Sequence, residues 1–246
     1  MQVTPSPGFD PTGTFTLEVL AKADRFNYWT YQTIEPALKG RVLEIGSGLA
    51  NISIYALRDK KSITLSDINP EYRDRLKKEY AGFQNLEGVL SIDLQHPEFR
   101  TAYQDLENAY DSIFMLNVIE HLANDQAAID NCRFMLKQEG NLVVLAPSYA
   151  FLYCRLDKEL GHYRRYTTSA LARLFDKSQF TILTKKYFNL AGTAGWFLFG
   201  KILQRKTLES GEMGLFNKLV PLFRIIDKIS FQKAGLSSII IAKKRS

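Results

Sequence analysis

The chain has 246 residues, of which 46% are hydrophobic and 24% are charged. This composition is typical of a soluble globular protein with one large domain, and it excludes an intrinsically disordered chain. Its two cysteines form no CxxC motif, which argues against a disulfide framework or a zinc site. The N-terminus has no apolar signal core and no run of 18 apolar residues occurs, so we expect a cytoplasmic protein.

The formal net charge of +6 is unevenly distributed. Residues 195–246 contain ten Lys/Arg and three Asp/Glu, a net charge of +7, whereas the rest of the chain carries −1. A basic C-terminal fifth on a neutral body indicates a local anionic partner rather than general nucleic-acid binding.

Strand-like and helix-like segments alternate along most of the chain. Residues 1–15 are predicted to form a flexible arm, and residues 16–38 one or two helices. Strands are predicted at 41–46, 62–68, 85–94, 111–118, 140–147, 180–190 and 235–244, with helices at 51–59, 70–81, 96–106, 122–136 and 167–178.

This order predicts an α/β fold with a Rossmann-like, seven-stranded and mostly parallel sheet that has helices on both faces. An N-terminal helical cap would precede the sheet. The last two strands are separated by a helical insertion at 195–232, and we expect them to form a hairpin in space. A single domain over residues 16–246 is the simplest account.

The stretch VLEIGSGLAN, residues 42–51, resembles half of a dinucleotide-binding fingerprint. Its glycines allow a tight turn and close approach of a ligand. However, Asn51 occupies the place of the third glycine, and Glu44 precedes the first. A carboxylate there would repel a pyrophosphate and suits an ammonium or sulfonium group, so NAD is disfavoured. A simple structural turn is the alternative.

Polar residues at the next strand ends favour a cofactor site. Asp67 follows the second strand and can accept hydrogen bonds from both hydroxyls of a ribose. Asp93 ends the third strand, where it could receive an exocyclic amine, and Asn117 closes the fourth. Strand ends of an open α/β sheet border one crevice, which is its usual ligand site.

The ordered set VLEIGSG, LSDINPEY, SIDL, YDSIFMLNVIEHL and LKQEGNLVVLAP resembles the class I S-adenosylmethionine-dependent methyltransferases. The likeness covers roughly residues 25–190 and is greatest to a small-molecule group with an NVLEH-type fourth strand. It implies S-adenosylmethionine as the cofactor and S-adenosylhomocysteine as its product.

The resemblance also implies roles for individual residues. Those cradling the methionine part would be Glu44, Gly46, Ser47 and Gly48, with Asn51 close by. Asp67 would hold the ribose, Ile68, Asp93 and Leu94 would border the adenine, and Asn117 would lie beside the sulfonium. Tyr28 or Trp29 is the expected lid.

Two histidines are candidate general bases for an acceptor that must lose a proton. His121 lies just past the fourth strand, where a packing or capping role is the alternative. His162 begins the run HYRRY, which is predicted to bind the acceptor through Tyr163, Arg164, Arg165 and Tyr166. Paired arginines indicate a phosphate or carboxylate on the acceptor, unless they form salt bridges within the protein.

Two features narrow the range of possible methyl acceptors. The tetrad typical of nucleobase-amine methylation is absent, since Asn117-Val118-Ile119-Glu120 stands in its place, and no metal-ligand spacing is evident. The insertion at 195–232 is amphipathic and basic, so it either lies on a membrane surface or covers the pocket. Both interpretations suit an apolar acceptor.

The leading hypothesis is methyl transfer from S-adenosylmethionine to a small or lipid-linked acceptor, at oxygen. The alternatives are a non-catalytic S-adenosylmethionine-binding or membrane-peripheral module and, disfavoured by Glu44 and Asn51, a dinucleotide oxidoreductase. We expect that the protein has no nucleic-acid partner. We also expect it in the cytoplasm, with peripheral contact to a membrane as the alternative.

Overall fold

The computed structural model describes residues 11–205, 207 and 210–246. One seven-stranded sheet, in the order β3-β2-β1-β4-β5-β7-β6, organises these residues. Its strands are β1 (Val42–Ile45), β2 (Ile63–Ser66), β3 (Leu86–Leu90), β4 (Tyr110–Leu116), β5 (Leu136–Pro147), β6 (Phe180–Phe188) and β7 (Ser237–Lys244).

The helices lie between the strands and before the first of them. They are α1 (Pro11–Ala21), α2 (Asp24–Ile34), α3 (Ser53–Arg58), α4 (Pro70–Glu79), α5 (Phe99–Ala102), α6 (Asp125–Met135), α7 (Arg155–Glu159), α8 (Thr168–Ala172), α9 (Leu190–Trp196) and α10 (Ser210–Ile229). A π-helical segment, Phe197–Ile202, continues α9.

The sheet is parallel except at β7, which pairs antiparallel with both β5 and β6. The predicted fold class is therefore confirmed, including the hairpin of the last two strands. The predicted elements differ in detail. The helix expected at 96–106 is only one turn at α5 followed by a 3₁₀ turn, and α10 continues through Pro221.

The predicted N-terminal arm ends earlier than expected. Residues 1–10 lie outside the described part of the chain, and α1 already begins at Pro11, within the predicted arm of 1–15. Thr16 and Val19 lie three positions apart on α1 and are both buried. They share one face of the helix, which therefore packs against the rest of the protein.

Two apolar layers enclose the sheet. Leu43 and Ile45 of β1 point into one layer, and Val42 points into the other, as the alternation of a pleated strand requires. On the second face, α2 and α10 pack over the sheet together with Phe188. The helical cap and the insertion therefore lie on the same side and close over the carboxyl ends of the strands.

Candidate functional site

A cavity of about 610 Å³ opens where β1 and β4 lie side by side. Strand order reverses at this point, since β2 and β3 follow on one side and β5 on the other. Such a switch point is the usual ligand site of an open α/β sheet. The volume lies within the range of small-molecule sites, roughly 300–1,000 Å³.

The glycine turn after β1 forms the floor of the cavity. Gly46 and Gly48 have φ values of +70° and +52°, a region that other residues rarely adopt. A Cβ on Gly46 would stand 2.5 Å from the Cγ2 atom of Val118, and one on Gly48 would stand 2.9 Å from Cδ1 of Leu17. Glycine is therefore required here both for the backbone conformation and for space, while buried Ser47 lines the cavity between the two.

Glu44 supplies a buried carboxylate beside the turn. The Ser53 hydroxyl donates a hydrogen bond to its Oε2 atom. Burial raises the pKa of Glu44 to about 7, only partly offset by the hydroxyls of Ser53 and Ser47, and negative Asp67 raises it further. A positively charged ligand group would favour the ionised form of this carboxylate. The cavity thus fits the ammonium end of S-adenosylmethionine better than a pyrophosphate.

Asp67 organises the next loop. One carboxylate oxygen accepts a hydrogen bond from the backbone N–H of Gly48 at 2.9 Å, and the other accepts one from that of Asn69 at 2.8 Å. Burial raises the pKa of Asp67, which these hydrogen bonds partly counteract. Each oxygen keeps a lone pair for a ribose hydroxyl. Ile68 lines the cavity beside it with 59% of its surface exposed, which suits the face of a base.

The remaining predicted cofactor residues meet in the same cavity. Asp93 and Leu94 line it after β3, and the Asp93 carboxylate accepts a hydrogen bond from the backbone N–H of Gln95. Asn117 lines it after β4 with a φ of +54°. Asn51 also lines it, but its side-chain amide donates to the carbonyl of Leu17 and so ties the glycine loop to α1.

The predicted lid residues require correction. Tyr28 faces away from the cavity and stacks with Tyr31, and Trp29 is buried in the apolar core. The N-terminal cap lines the cavity instead through other side chains of α1 and α2, namely Thr16, Leu17, Leu20, Phe26, Asn27 and Thr30. Sequence reasoning identified the right helix but the wrong face of it.

The two candidate histidines are adjacent although 41 positions separate them in the sequence. Their ring centroids are 4.6 Å apart, with the rings perpendicular. The Nδ1 atom of His162 lies 2.8 Å from Oδ1 of Asp157. Because a carboxylate accepts a hydrogen bond from Nδ1–H, it leaves Nε2 of His162 as the free acceptor. Burial, reinforced by His162, lowers the pKa of His121 to about 4, so His121 is neutral at pH 7.

Asp157 orients the side chains of His162 and Arg165, and the sequence did not point to it as a functional residue. It is fully buried and accepts hydrogen bonds from His162, from the guanidinium of Arg165 and from the backbone N–H of Cys154. Burial alone would raise the pKa of Asp157, but His162 and Arg165 outweigh it and hold that pKa below its usual value.

Glu120 was also missed as a functional candidate. It is fully buried, lines the cavity, and neither of its carboxylate oxygens has a hydrogen-bond partner among the described residues. Burial raises the pKa of Glu120 to about 8, which the backbone N–H of Glu120 itself and the positive charge of Arg165 only partly counteract. The ligand-type atoms of Glu120, His121 and His162 all lie within 4.8 Å of one another. The sequence showed no metal-ligand spacing because folding brings His162 to the other two.

The predicted acceptor-binding run HYRRY divides into two parts. Arg165 lines the cavity, with its guanidinium 4.5 Å above the Trp196 ring and bonded to Asp157. Tyr163, Arg164 and Tyr166 do not line it. Arg164 and Tyr166 both contact the Asp125 carboxylate at 2.9 Å, and Tyr163 is exposed. Both arginines therefore form salt bridges within the protein, and of the four predicted acceptor-binding residues only Arg165 also lines the cavity.

The insertion covers the cavity on one face and is exposed on the other. The cavity is lined on this side by Trp196, Phe199, Met213 and Phe216. Val220 is buried on the inner face of α10. The side chains of Leu215, Leu219, Leu222, Ile225 and Ile229 are exposed on the outer face. Hence the apolar residues of this helix face two sides, with Phe216, Val220 and Phe223 inward and the others outward.

Residues 43–142 match the model of a family described as a methyltransferase domain. A ubiquinone biosynthesis O-methyltransferase of Xylella fastidiosa (strain 9a5c) is 26% identical over 109 residues, which are 44% of this chain and 42% of that protein. The chain spans between 4% and 42% of the length of the curated relatives that it matches.

Solved structures share the fold. The complex of the Haloferax volcanii Trm112 methyltransferase activator with a methyltransferase contains a chain with a TM-score of 0.61 and 13% identity, covering 97% of this chain and 99% of that one. The CurJ carbon methyltransferase has a TM-score of 0.59 and 14% identity, covering 92% of this chain and 55% of that one. At such identities the likeness shows the fold alone. The resemblance to class I methyltransferases is confirmed by the fold together with the family match, while nothing tests the NVLEH-type subgroup.

Proposed function

We propose that the protein, whose residues 43–142 match the model of a methyltransferase domain, methylates a hydroxyl oxygen of a small or lipid-linked acceptor with S-adenosylmethionine. One observation carries the proposal. A single cavity combines the carboxylates of Glu44, Asp67 and Asp93 at one end with a partly buried histidine pair at the other.

The carboxylate end is suited to the cofactor. Glu44 would face the ammonium group, Asp67 the ribose hydroxyls and Asp93 the adenine amine, and each carboxylate would accept hydrogen bonds from these groups. Asn117 follows β4, between this end and the histidines, where the sulfonium would lie. When bound, S-adenosylmethionine supplies a methyl group on a sulfonium that leaves as a neutral thioether.

The histidine end supports an oxygen acceptor. A hydroxyl must lose its proton as the new carbon–oxygen bond forms, and a general base that accepts it contributes roughly 10²–10⁴-fold. His162 offers its Nε2 atom while Asp157 holds Nδ1, the arrangement that stabilises a protonated ring. Arg165 and the aromatic side chains of the insertion line the cavity, and their bulk would reduce the access of water to a bound acceptor.

Two observations support an apolar or lipid-linked acceptor. An open apolar groove of about 460 Å³ lies beside the insertion, lined by Phe151, Leu152, Leu190, Ala191, Thr193, Ala194 and Phe197. In addition, exposed Leu215, Leu222 and Ile229 share the outer surface of α10 with the exposed lysines Lys218 and Lys228. Apolar side chains among lysines favour the surface of an anionic bilayer.

No helix among the described residues is long and apolar enough to span a bilayer. Membrane contact would therefore be peripheral, through α10. This helix is anchored to the domain by Asp227, whose buried carboxylate accepts hydrogen bonds at 2.7 Å from the backbone N–H groups of Asn189 and Leu190. Its outer face is thus held at a fixed orientation to the cavity.

A non-catalytic S-adenosylmethionine-binding module is the second candidate, because the carboxylate end can serve binding alone. Calorimetry with S-adenosylhomocysteine and with NAD separates cofactor classes. We expect the thioether to bind and NAD not to bind; the reverse result would overturn the methyltransferase proposal. Methyl-label transfer into a cell extract then separates an enzyme from a binding module, since only an enzyme incorporates label.

Partition of the labelled product tests the lipid-linked acceptor. We expect label in the organic phase, and label confined to water-soluble molecules would contradict it. Vesicle sedimentation tests the membrane contact separately. Leu222→Asp should abolish binding to phosphatidylserine-containing vesicles, whereas Leu183→Asp should leave binding unchanged, since these leucines are 53% and 52% exposed on different elements. Equal binding by both variants would exclude the outer face of α10.

A further inference from the structure

The cluster of Glu120, His121 and His162 has features that a general base alone does not explain. A base needs one acceptor nitrogen and one orienting group, which His162 and Asp157 already provide. Glu120 is then an additional carboxylate, fully buried at the same corner of the cavity.

The Glu120 carboxylate lacks the partners that burial of an ionised group requires. Neither oxygen has a hydrogen-bond partner among the described residues, although a buried carboxylate is normally paired or bound to a metal. Arg165 attracts it electrostatically, but this guanidinium donates its hydrogen bonds to Asp157 and to the Ser148 carbonyl. A positive charge within reach of Glu120 would compensate its burial.

The two histidines are suited to bind that charge as a metal ion. His162 has Nδ1 bonded to the Asp157 carboxylate, and this contact orients a ring so that Nε2 faces a metal. His121 is largely buried beside it, with the rings in edge contact. Together with Glu120 they form a two-histidine, one-carboxylate set, which is a ligand set of catalytic zinc.

The distances are compatible with a single ion. The candidate ligand atoms lie within 4.8 Å of one another. In a tetrahedral zinc site with bonds of about 2.0–2.1 Å, ligand atoms lie about 3.4 Å apart, so small side-chain rotations suffice. The three residues supply three ligands and leave the fourth position facing the cavity.

We propose that Glu120, His121 and His162 form a binding site for a divalent cation of the zinc type, whose open position takes the acceptor oxygen. The role of this oxygen rests on the proposed function, whereas the cation site itself does not. A bound cation would lower the pKa of the acceptor hydroxyl, so that the acceptor binds as its alkoxide after its proton has been released to bulk solvent. With the cation bound, Nε2 of His162 would serve as a ligand in place of its role as general base.

Zinc titration of the metal-free full chain tests the site without cofactor or acceptor. After treatment with a chelator and dialysis, calorimetry with zinc chloride should detect one ion per chain. Glu120→Gln and His162→Ala should each weaken zinc binding at least tenfold. His96→Ala is the matched control, because His96 is the third histidine of the chain and lies outside the cluster.

Thermal unfolding gives a second readout that distinguishes a metal ligand from a structural carboxylate. Without metal, Glu120→Gln should unfold at a higher temperature than the wild type, because it removes an unpartnered buried carboxyl group. Zinc should raise the midpoint of the wild type but not of the variant. If zinc does not bind the wild type, or binds equally after His162→Ala, the site is excluded. S-adenosylhomocysteine binding then still decides the proposed function independently.

Discussion

The two ends of the cavity are built differently. At the cofactor end, Glu44, Gly48 and Asp67 lie within 24 consecutive residues, and Asp67 is held by hydrogen bonds from nearby backbone N–H groups. At the acceptor end, Glu120, His162 and Trp196 come from distant segments, and His162 is oriented by the side chain of Asp157. A strand end with a glycine turn fixes a ligand group locally, whereas an acceptor pocket depends on packing across the chain.

This difference predicts which measurements respond to substitution. Changes at the cofactor end should alter ligand affinity or stability, because its carboxylates also hold their own loops. Changes at the acceptor end should alter turnover and leave cofactor affinity intact.

The largest effect is expected for His162→Ala. Loss of the oriented Nε2 atom should reduce methyl-label incorporation by roughly 10²–10⁴-fold, the usual contribution of a proton-accepting group. Calorimetry with S-adenosylhomocysteine should give the wild-type affinity, because Glu44 and Asp67 remain. His96→Ala controls for the loss of a histidine. A parallel loss of cofactor affinity would show that the two ends are not separable.

Asp67→Ala should have the next largest effect. The substitution removes the ribose acceptor together with the hydrogen bonds from Gly48 and Asn69. Because hydrogen bonds to charged groups contribute about 1.5–3 kcal/mol, we expect S-adenosylhomocysteine to bind roughly 10–100-fold more weakly. Asp74→Ala is the control, since that carboxylate is 81% exposed on α4. Unchanged affinity would refute the ribose assignment.

The same difference explains which parts could be predicted from sequence. The alternation of strands and helices predicts the sheet, and the order of Glu44, Asp67 and Asp93 predicts the cofactor end. Glu44 lies in its own strand, and Asp67 and Asp93 follow theirs, so local pattern is sufficient. By contrast, nothing in HYRRY distinguishes Arg165, which enters the cavity, from Arg164, which bonds to Asp125.

Tertiary contacts account for the other corrections. Glu120 looks like an ordinary helix-start residue until its burial and its missing partner are known. Tyr28 and Thr30 lie on the same helix, and only the packing of α2 determines that Thr30 faces the cavity. The sequence predicts that the insertion is amphipathic, but periodicity does not distinguish the apolar positions of α10 that are buried from those that are exposed.

Gly46→Ala tests whether the cofactor end of the cavity depends on the backbone conformation of the glycine turn. A φ of +70° strains any L-residue, and the new Cβ would meet Val118 at 2.5 Å. We expect the free energy of unfolding to fall by about 1–3 kcal/mol, measured by urea denaturation. Adding Val118→Ala should relieve the clash and recover part of this loss. Gly82→Ala, where no atom lies within 4 Å of the Cβ, should be nearly neutral.

The smallest effect is expected from the protonation of Glu44. Its pKa is about 7 in the folded protein against an ordinary value of 4.5. Between these values the folded protein holds a proton that the unfolded chain has lost, so stability without ligand should fall as pH rises through this window. A cationic ligand reverses the trend, because it binds the ionised carboxylate.

We therefore expect the affinity for S-adenosylhomocysteine to rise with pH between about 5.5 and 7, by at most roughly tenfold per unit. This range lies below the pKa of an α-ammonium group, about 7.7–8.0, so the ligand keeps its charge. Glu44→Gln should bind more weakly and without this slope, whereas Glu87→Gln, on the exposed side of β3, should retain it. If the affinity of Glu44→Gln still rose with pH, the ammonium group would bind elsewhere. The glycine turn would then not be the site that recognises the charge of the ligand.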